Sequence, residues 1–177
     1  WLYPTSFNTS QNHWASKGGN NTREWSFTLN STAITAYWTT GGTSSTDSTV
    51  TVSSTNSINE WMHICVKKSG STLTFYKNGA SLGTGTFTSI YNGSGTIKVG
   101  RLMDFTGISH SFNGYISDLR IVKGSAITPP SGGPTERLEA VTNTSLLTCH
   151  LPYITDGSTN DHSITVNGNT STKPFAP

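Results

Sequence analysis

The chain has 177 residues and a formal net charge of +2, with 11% charged and 10% aromatic residues. This length fits one domain, or one domain with an appended segment. The aromatic content and small net charge argue against disorder. No apolar run reaches the roughly 20 residues of a membrane helix, so no membrane partner is expected. Lys and Arg are scattered along the sequence and do not cluster, so no nucleic-acid partner is expected either.

Small polar residues dominate the composition, because Ser, Thr, Asn and Gly make up about half of the chain. Average soluble domains carry roughly 25% charged residues. Here Thr takes the place that charged residues usually have at the surface, and Thr favours β-strands. The composition therefore predicts an all-β protein that is extracellular or bound to a particle.

Strand signals fill the first half of the chain, separated by Gly, Asn and Ser. After a short apolar run at residues 1–4, alternation places Trp25, Phe27 and Leu29 on one face of a strand. A second strand follows at residues 33–38, and a third at residues 48–53 directs Val50 and Val52 inward.

The clearest strand pair follows, where residues 61–68 and 71–76 are predicted to form a hairpin. Asn78-Gly79 then favours a tight turn, because both residues tolerate positive φ. Further strands are predicted at 81–88, 96–102, 112–122 and 145–151, and the Pro/Gly-rich residues 128–134 read as a linker. This pattern predicts a two-sheet antiparallel β-sandwich of the jelly-roll type.

Two cysteines, Cys65 and Cys149, each lie inside an apolar run and belong to no CxxC motif. They are too few for a disulfide scaffold. The sequence leaves two readings open: two buried thiols acting as small hydrophobic residues, or one disulfide between neighbouring strands.

Three separated motifs resemble laminin-G-like, concanavalin A-like jelly rolls. The central motif, residues 61–79, is a Trp-x-His strand followed by an apolar strand that ends in Asn-Gly. FNGYISDLRIVKGSA at 112–126 resembles the penultimate strand of the family, and WLYPT at 1–5 is similar to the strand after its first hairpin. The resemblance implies a jelly roll over residues 1–126 that lacks the usual first strands before Trp1.

The chain also resembles repeats in structural proteins of marine tailed bacteriophages. In them the penultimate strand is followed by a Pro-rich link and a TNTSLLTC strand, which stand here at residues 127–140 and 142–149. Residues 141–177 then resemble the start of another repeat. We expect them to complete this sandwich or that of a neighbouring copy, because an open sheet edge invites pairing, or to begin a next repeat. An independent terminal arm is the alternative.

The acidic residues do not match the enzymes of this superfamily. Laminarinase-type glycosidases carry Glu-x-Asp-x-x-Glu on one strand, which places the carboxylates beside the sugar. The glutamates of this chain, Glu24, Glu60, Glu136 and Glu139, lack that spacing, and its histidines show no metal-ligand spacing. We therefore predict a protein that is not an enzyme.

Ligand binding remains, because lectin-like sites combine an aromatic platform with amides that bind hydroxyls. The candidate residues are Asn12, His13, Trp14, Tyr37 and Trp38, although Trp residues are more often core than platform. No cofactor is required by the sequence. Calcium is common in laminin-G-like domains, and Asp47 and Asp104 stand in loops that suit it, each without a second carboxylate nearby in the sequence.

The resemblance implies a module of a virion appendage, a tail fibre or head fibre, that recognises a bacterial cell-surface glycan and takes part in assembly with other virion proteins. It also implies a location on the virion surface and a homo-oligomer, a trimer as in phage fibres, in which repetition supplies avidity. Two alternatives stay open: a purely structural decoration or connector protein of a virion, and a secreted bacterial adhesin domain.

Overall fold

The computed structural model describes residues 1–8, 11–19, 22–102 and 110–177. Over these residues its regular structure is β-strand apart from a 3-10 turn at Ser44–Thr46, which confirms the all-β sandwich class. The strands are β1 (Leu2–Pro4), β2 (Asn12–Gly19), β3 (Thr22–Leu29), β4 (Ala33–Thr39), β5 (Asp47–Ser53), β6 (Ile64–Ser69), β7 (Thr72–Lys77), β8 (Ala80–Thr86), β9 (Thr96–Val99), β10 (Gly114–Ile116), β11 (Leu119–Val122) and β12 (Thr144–Thr148).

The largest sheet has five antiparallel strands in the order β5-β4-β3-β2-β9. Its register places Trp25 opposite Trp38 and Phe27 opposite Ala36, so one face of the sheet is apolar, as the alternation in β3 predicts. The opposite face is polar, since its small side chains bond one another across strands, as Thr35 Oγ1 and Thr51 Oγ1 do at 3.0 Å.

A three-stranded sheet, β6-β7-β8, packs against the apolar face. Phe75 is fully buried between the sheets, and complete burial of such a side chain contributes about 1.5–3 kcal/mol. The two sheets are in close contact at Gly85, where an added Cβ would lie 2.3 Å from Val50 Cγ1. A residue without a side chain is therefore required at this position for the two sheets to meet.

The strand predicted over residues 112–122 is divided in two by Asp118, whose φ is +53°. β10 pairs with β1, and β11 pairs with β12. Asp118 lies between the two pairings, where its Oδ1 accepts a hydrogen bond from Leu138 N at 2.7 Å and its own N donates to Cys149 O at 2.9 Å. The prediction of one continuous strand was wrong because periodicity does not show a local break that is stabilised by distant partners.

Residues 127–140 contain no strand or helix and run along the surface. They contact the β7–β8 turn, where Gly132 N donates to Asn78 O at 3.0 Å, and they reach β6 through Lys67 Nζ and Thr128 Oγ1 at 2.8 Å. The turn itself is ordered by Asn78, whose Oδ1 accepts from His63 N at 2.8 Å.

After β12 the chain is held by Asp156, a buried carboxylate. Its two oxygens accept hydrogen bonds from Leu147 N, from the backbone and hydroxyl of Ser158, and from His162 N, all at 2.8–3.0 Å. Residues 163–177, called the arm below, follow without regular structure. The first part of the arm borders a cleft of about 2660 Å³ between the five-stranded sheet and β11–β12.

The thiols of Cys65 and Cys149 are unpaired in the structure and partly buried. Burial raises the pKa of both thiols, so both are protonated at neutral pH. Each therefore behaves as a small, weakly polar packing group.

Candidate ligand-binding site

The structure separates the five predicted ligand-binding residues into two groups. Asn12, Trp14 and Trp38 are buried, and their contacts are internal: Asn12 Nδ2 donates to Leu29 O at 3.1 Å, while the Trp14 ring stacks on Phe27 and the Trp38 ring lies against Phe87. His13 and Tyr37 meet on the polar face of the five-stranded sheet, with ring centroids 6.4 Å apart. His13 is also buried there, at 1% exposed, whereas Tyr37 is half-buried.

Gln11 joins these two side chains. Its Nε2 donates to Tyr37 Oη at 2.8 Å, and its Oε1 lies 2.8 Å from His13 Nε2. Because a carbonyl oxygen only accepts, His13 Nε2 must be the donor in this bond. The amide therefore fixes both the tautomer of His13 and the position of the Tyr37 hydroxyl.

A second histidine lies over the first. The ring of His110 is 6.0 Å from that of His13 with an interplanar angle of 30°. The position of His110 is set by the pairing of the segments on either side of residues 103–109, since Leu102 N donates to His110 O at 3.1 Å. His13, His110 and Tyr37 thus form an aromatic wall above a floor of Ser and Thr side chains.

The protonation states of these groups follow from their surroundings. Burial, with the positive fields of His110 and Arg23, lowers the pKa of His13 to about 3. The ring is therefore neutral at physiological pH. Burial, followed by the negative charge of Asp47, raises the pKa of Tyr37, so its hydroxyl stays protonated. Both groups are thus neutral hydrogen-bonding groups, the kind that bind hydroxyls.

Asp47, a predicted calcium ligand, lies at the edge of the same site and forms an ion pair with Arg23, Oδ2 to Nη1 at 2.7 Å. The Arg23 guanidinium is bound to the Asp47 carboxylate and places a positive charge where a cation would bind. In the described ranges, no group of three or more His, Cys, Asp or Glu side chains could hold a metal ion. Asp104, the other predicted ligand, lies outside the described residues.

The other carboxylate of the site is Glu24, whose side chain is 3% exposed and forms an ion pair with Lys17. Glu24 Oε1 also accepts from Gly95 N at 3.1 Å, and Lys17 Nζ donates to Gly93 O at 2.9 Å. This ion pair therefore fixes the loop before β9 against β2 and β3, and both acids of the site already have a cationic partner.

Together these side chains enclose a cavity of about 410 Å³. This volume lies within the roughly 300–1,000 Å³ range of small-ligand pockets, whereas the cleft between the sheets is far larger. The cavity is lined by Gln11, His13, Arg23, Tyr37, Asp47 and His110, among others. Its chemistry is an aromatic wall, a side-chain amide and one exposed ion pair.

The sequence analysis missed Gln11, Arg23 and His110. Gln11 had a local signal, because residues two apart on a strand share a face, so that Gln11 belongs with His13 while Asn12 and Trp14 point the other way. No local sequence signal indicates His110, because it is brought to the site by the tertiary fold and not by a neighbouring residue in the chain.

The fold and the site define a lectin-type β-sandwich, a class built around ligand recognition. Residues 1–130 match the family model described as the concanavalin A-like lectin/glucanases superfamily, of the laminin G type. The chain belongs to this family, whose laminin-G-like domains are typically binding domains without catalytic activity.

Among solved structures, the chain is similar to an S-layer domain-containing protein (residues 221–444) from Clostridium thermocellum ATCC 27405. The identity is 21%, the match covers 70% of this chain and 61% of that chain, and the TM-score is 0.31. This chain thus spans less than two thirds of that structure. No curated protein sequence matches the chain. Its described residues include no helix long and apolar enough to cross a membrane.

Proposed function

We propose that this domain is a non-catalytic glycan-recognition module, and that the groove of His13, Tyr37, Gln11 and His110 binds the sugar. The observation that carries the proposal is the Gln11 bridge between Tyr37 Oη and His13 Nε2, both at 2.8 Å. It positions an aromatic surface beside neutral donors and acceptors, which is the combination that sugar rings and their hydroxyls require.

The two carboxylates of the groove support binding rather than hydrolysis. A glycosidase needs one protonated carboxyl group as the acid and a second carboxylate. Glu24 and Asp47 are each ion-paired, with Lys17 and Arg23 respectively, so both carboxylates of the groove are already engaged by protein cations.

The setting we propose is a virion appendage such as a tail or head fibre, exposed at the virion surface and directed at a bacterial cell-surface glycan. The resemblance of residues 118–124 and 142–149 to phage repeats supports this setting. A single groove of this size gives weak binding, and several copies in one fibre, a trimer by the same resemblance, would raise the overall affinity.

The test is a glycan array probed with a multivalent form of the domain, followed by titration of the best ligand into the monomeric chain. We expect Tyr37→Ala and His110→Ala to abolish binding while Tyr153→Ala, a change at an exposed tyrosine outside the groove, leaves it intact. Binding that survives both groove substitutions would place the site elsewhere. An array without any ligand would favour the connector role.

A further inference from the structure

A second aromatic site lies on a different sheet, formed by Tyr3, Trp61 and Tyr115. The strand register brings these residues together. Tyr3 pairs with Tyr115 across β1 and β10, and the antiparallel bridge between Leu2 and Met62 places Trp61 beside Tyr3 on the other side. Because Leu2 and Pro4 point into the core, Tyr3 faces outward, and the three aromatic rings form a row on the outer surface.

This row, called the aromatic cage, is occupied. The ring of Phe175, from the arm, lies 4.8 Å from Tyr3, 5.3 Å from Trp61 and 4.9 Å from Tyr115, measured between centroids. The planes cross at 86° with Tyr3 and at 67° with Tyr115, the edge-to-face geometry that aromatic pairs prefer at this spacing. The Trp61 plane is tilted by 36° to the Phe175 ring, and the three contacts together hold this ring on the surface, where it is 41% exposed.

The segment that supplies the ring is suited to docking. Phe175 and Ala176 lie between Pro174 and Pro177, and each proline fixes its own φ and restricts the residue before it. The segment therefore loses less conformational entropy on docking than an unrestricted peptide would. Residues 163–173 form no regular structure, so the ring contacts of Phe175 are the main attachment of this end of the arm.

We propose that the aromatic cage is a receptor for a peptide of the Pro-Phe type, and that its ligand in this chain is the segment Pro174–Pro177. Tethering raises the effective concentration of Phe175 to the millimolar range, so the cage is filled by its own arm when the protein is dilute. Release of Phe175 frees the cage, whereas the first part of the arm stays at the border of the cleft, because Ile164 packs against the core. The site is independent of the sugar groove.

The experiment uses the full chain with Phe175→Ala, which empties the cage, and a synthetic peptide of the sequence Thr170–Pro177. We expect the peptide to shift the indole N–H resonance of Trp61 in the Phe175→Ala variant at about 0.1 mM, roughly a tenth of the millimolar effective concentration of the tethered ring. The same peptide should bind the unmodified chain about tenfold more weakly, because the tethered Phe175 competes for the cage. A peptide with Ala in place of Phe175 is the ligand control.

Two further variants in the Phe175→Ala background locate the binding. Tyr115→Ala should abolish the peptide-induced shift and Tyr115→Phe should retain it. Tyr115 is 38% exposed, so its truncation leaves the core intact. Tyr153→Ala is the matched control outside the cage. Absence of any shift in folded Phe175→Ala protein would overturn the proposal, and so would equal affinities of the unmodified chain and the variant. Glycan binding at the groove is unaffected by either result.

Discussion

His13 and Tyr37 lie on strands that do not pair with each other, yet one side chain, that of Gln11, bonds them both. β3 separates the two strands, and it places the small residues Thr28 and Ser26 opposite His13 and Tyr37, which leaves room for the Gln11 side chain to span the two rings. The groove exists because a central strand with small side chains is flanked by strands that carry rings.

The first prediction concerns the energetic coupling of Gln11 and Tyr37. In a double-mutant cycle of Gln11→Ala and Tyr37→Phe, we expect a coupling free energy of about 0.5–1.5 kcal/mol, the usual net value of one hydrogen bond. Urea denaturation of the four proteins measures it. The cycle of Gln11→Ala with Tyr153→Phe should show no coupling, and a zero value in the first cycle would mean that the bridge does not form.

The second prediction concerns acid sensitivity. The pKa values of His13 and His63 are lowered to about 3 and about 4, in each case mainly by burial. In the unfolded chain the histidine pKa is about 6.5, so below this pH the unfolded chain binds protons that the folded protein does not bind. The free energy of unfolding therefore falls as the pH drops from about 6.5 toward the folded pKa values. We expect His13→Gln to lose less stability than the unmodified chain between about pH 7 and about pH 4.5. Equal losses in urea denaturation would contradict this assignment.

The third prediction concerns Asp156. Burial acts to raise the pKa of this carboxyl, but its hydrogen bonds from Leu147, Ser158 and His162 outweigh burial, and the net pKa is lowered. Its stabilising effect is therefore present above the unfolded pKa and is lost as the pH falls through the lower, folded value. Asp156→Asn should destabilise the protein by about 2–4 kcal/mol.

The control for this change is Asp161→Asn, at an exposed position with positive φ that Asn also tolerates. We expect a change within about 0.5 kcal/mol, measured by thermal or urea denaturation. If the two variants lost similar amounts, the buried hydrogen bonds of Asp156 would contribute no more than a surface carboxylate does.

The fourth prediction compares two glycines with positive φ in neighbouring hairpin turns. Gly70 has φ +56° and open space around it, whereas Gly79 has φ +76° and an added Cβ there would lie 2.0 Å from Pro130 O. Gly70→Ala should cost about 1 kcal/mol through backbone strain alone. Gly79→Ala should cost about 1–3 kcal/mol more, because residues 130–132 must move. Equal costs would show that this segment does not contact the turn in solution.

These turns illustrate what the sequence predicts well. Asn-Gly at 78–79 locates the turn between β7 and β8, and the alternation in β3 identifies its buried face, because both signals are local. The break at Asp118 and the position of His110 depend on residues far away in the chain, so no local pattern predicts them. Residue type alone indicates the five candidate ligand residues, and strand alternation separates them: His13 and Tyr37 face the groove, while Asn12, Trp14 and Trp38 face the interior. The limits proposed for the jelly roll, the link and residues 141–177 remain predictions.

The pairing of β1 with β10 also has a consequence for the order of folding. Trp1 N donates to Ser117 O across 116 positions, whereas β6, β7 and β8 are joined by short turns. Closing so long a loop costs more chain entropy than closing a hairpin, and contacts of this range slow folding. We therefore expect β6–β8 to form first and β1 to dock late. Until then the outer edge of β10 is open to strands of other chains, and the yield of refolding should fall as protein concentration rises.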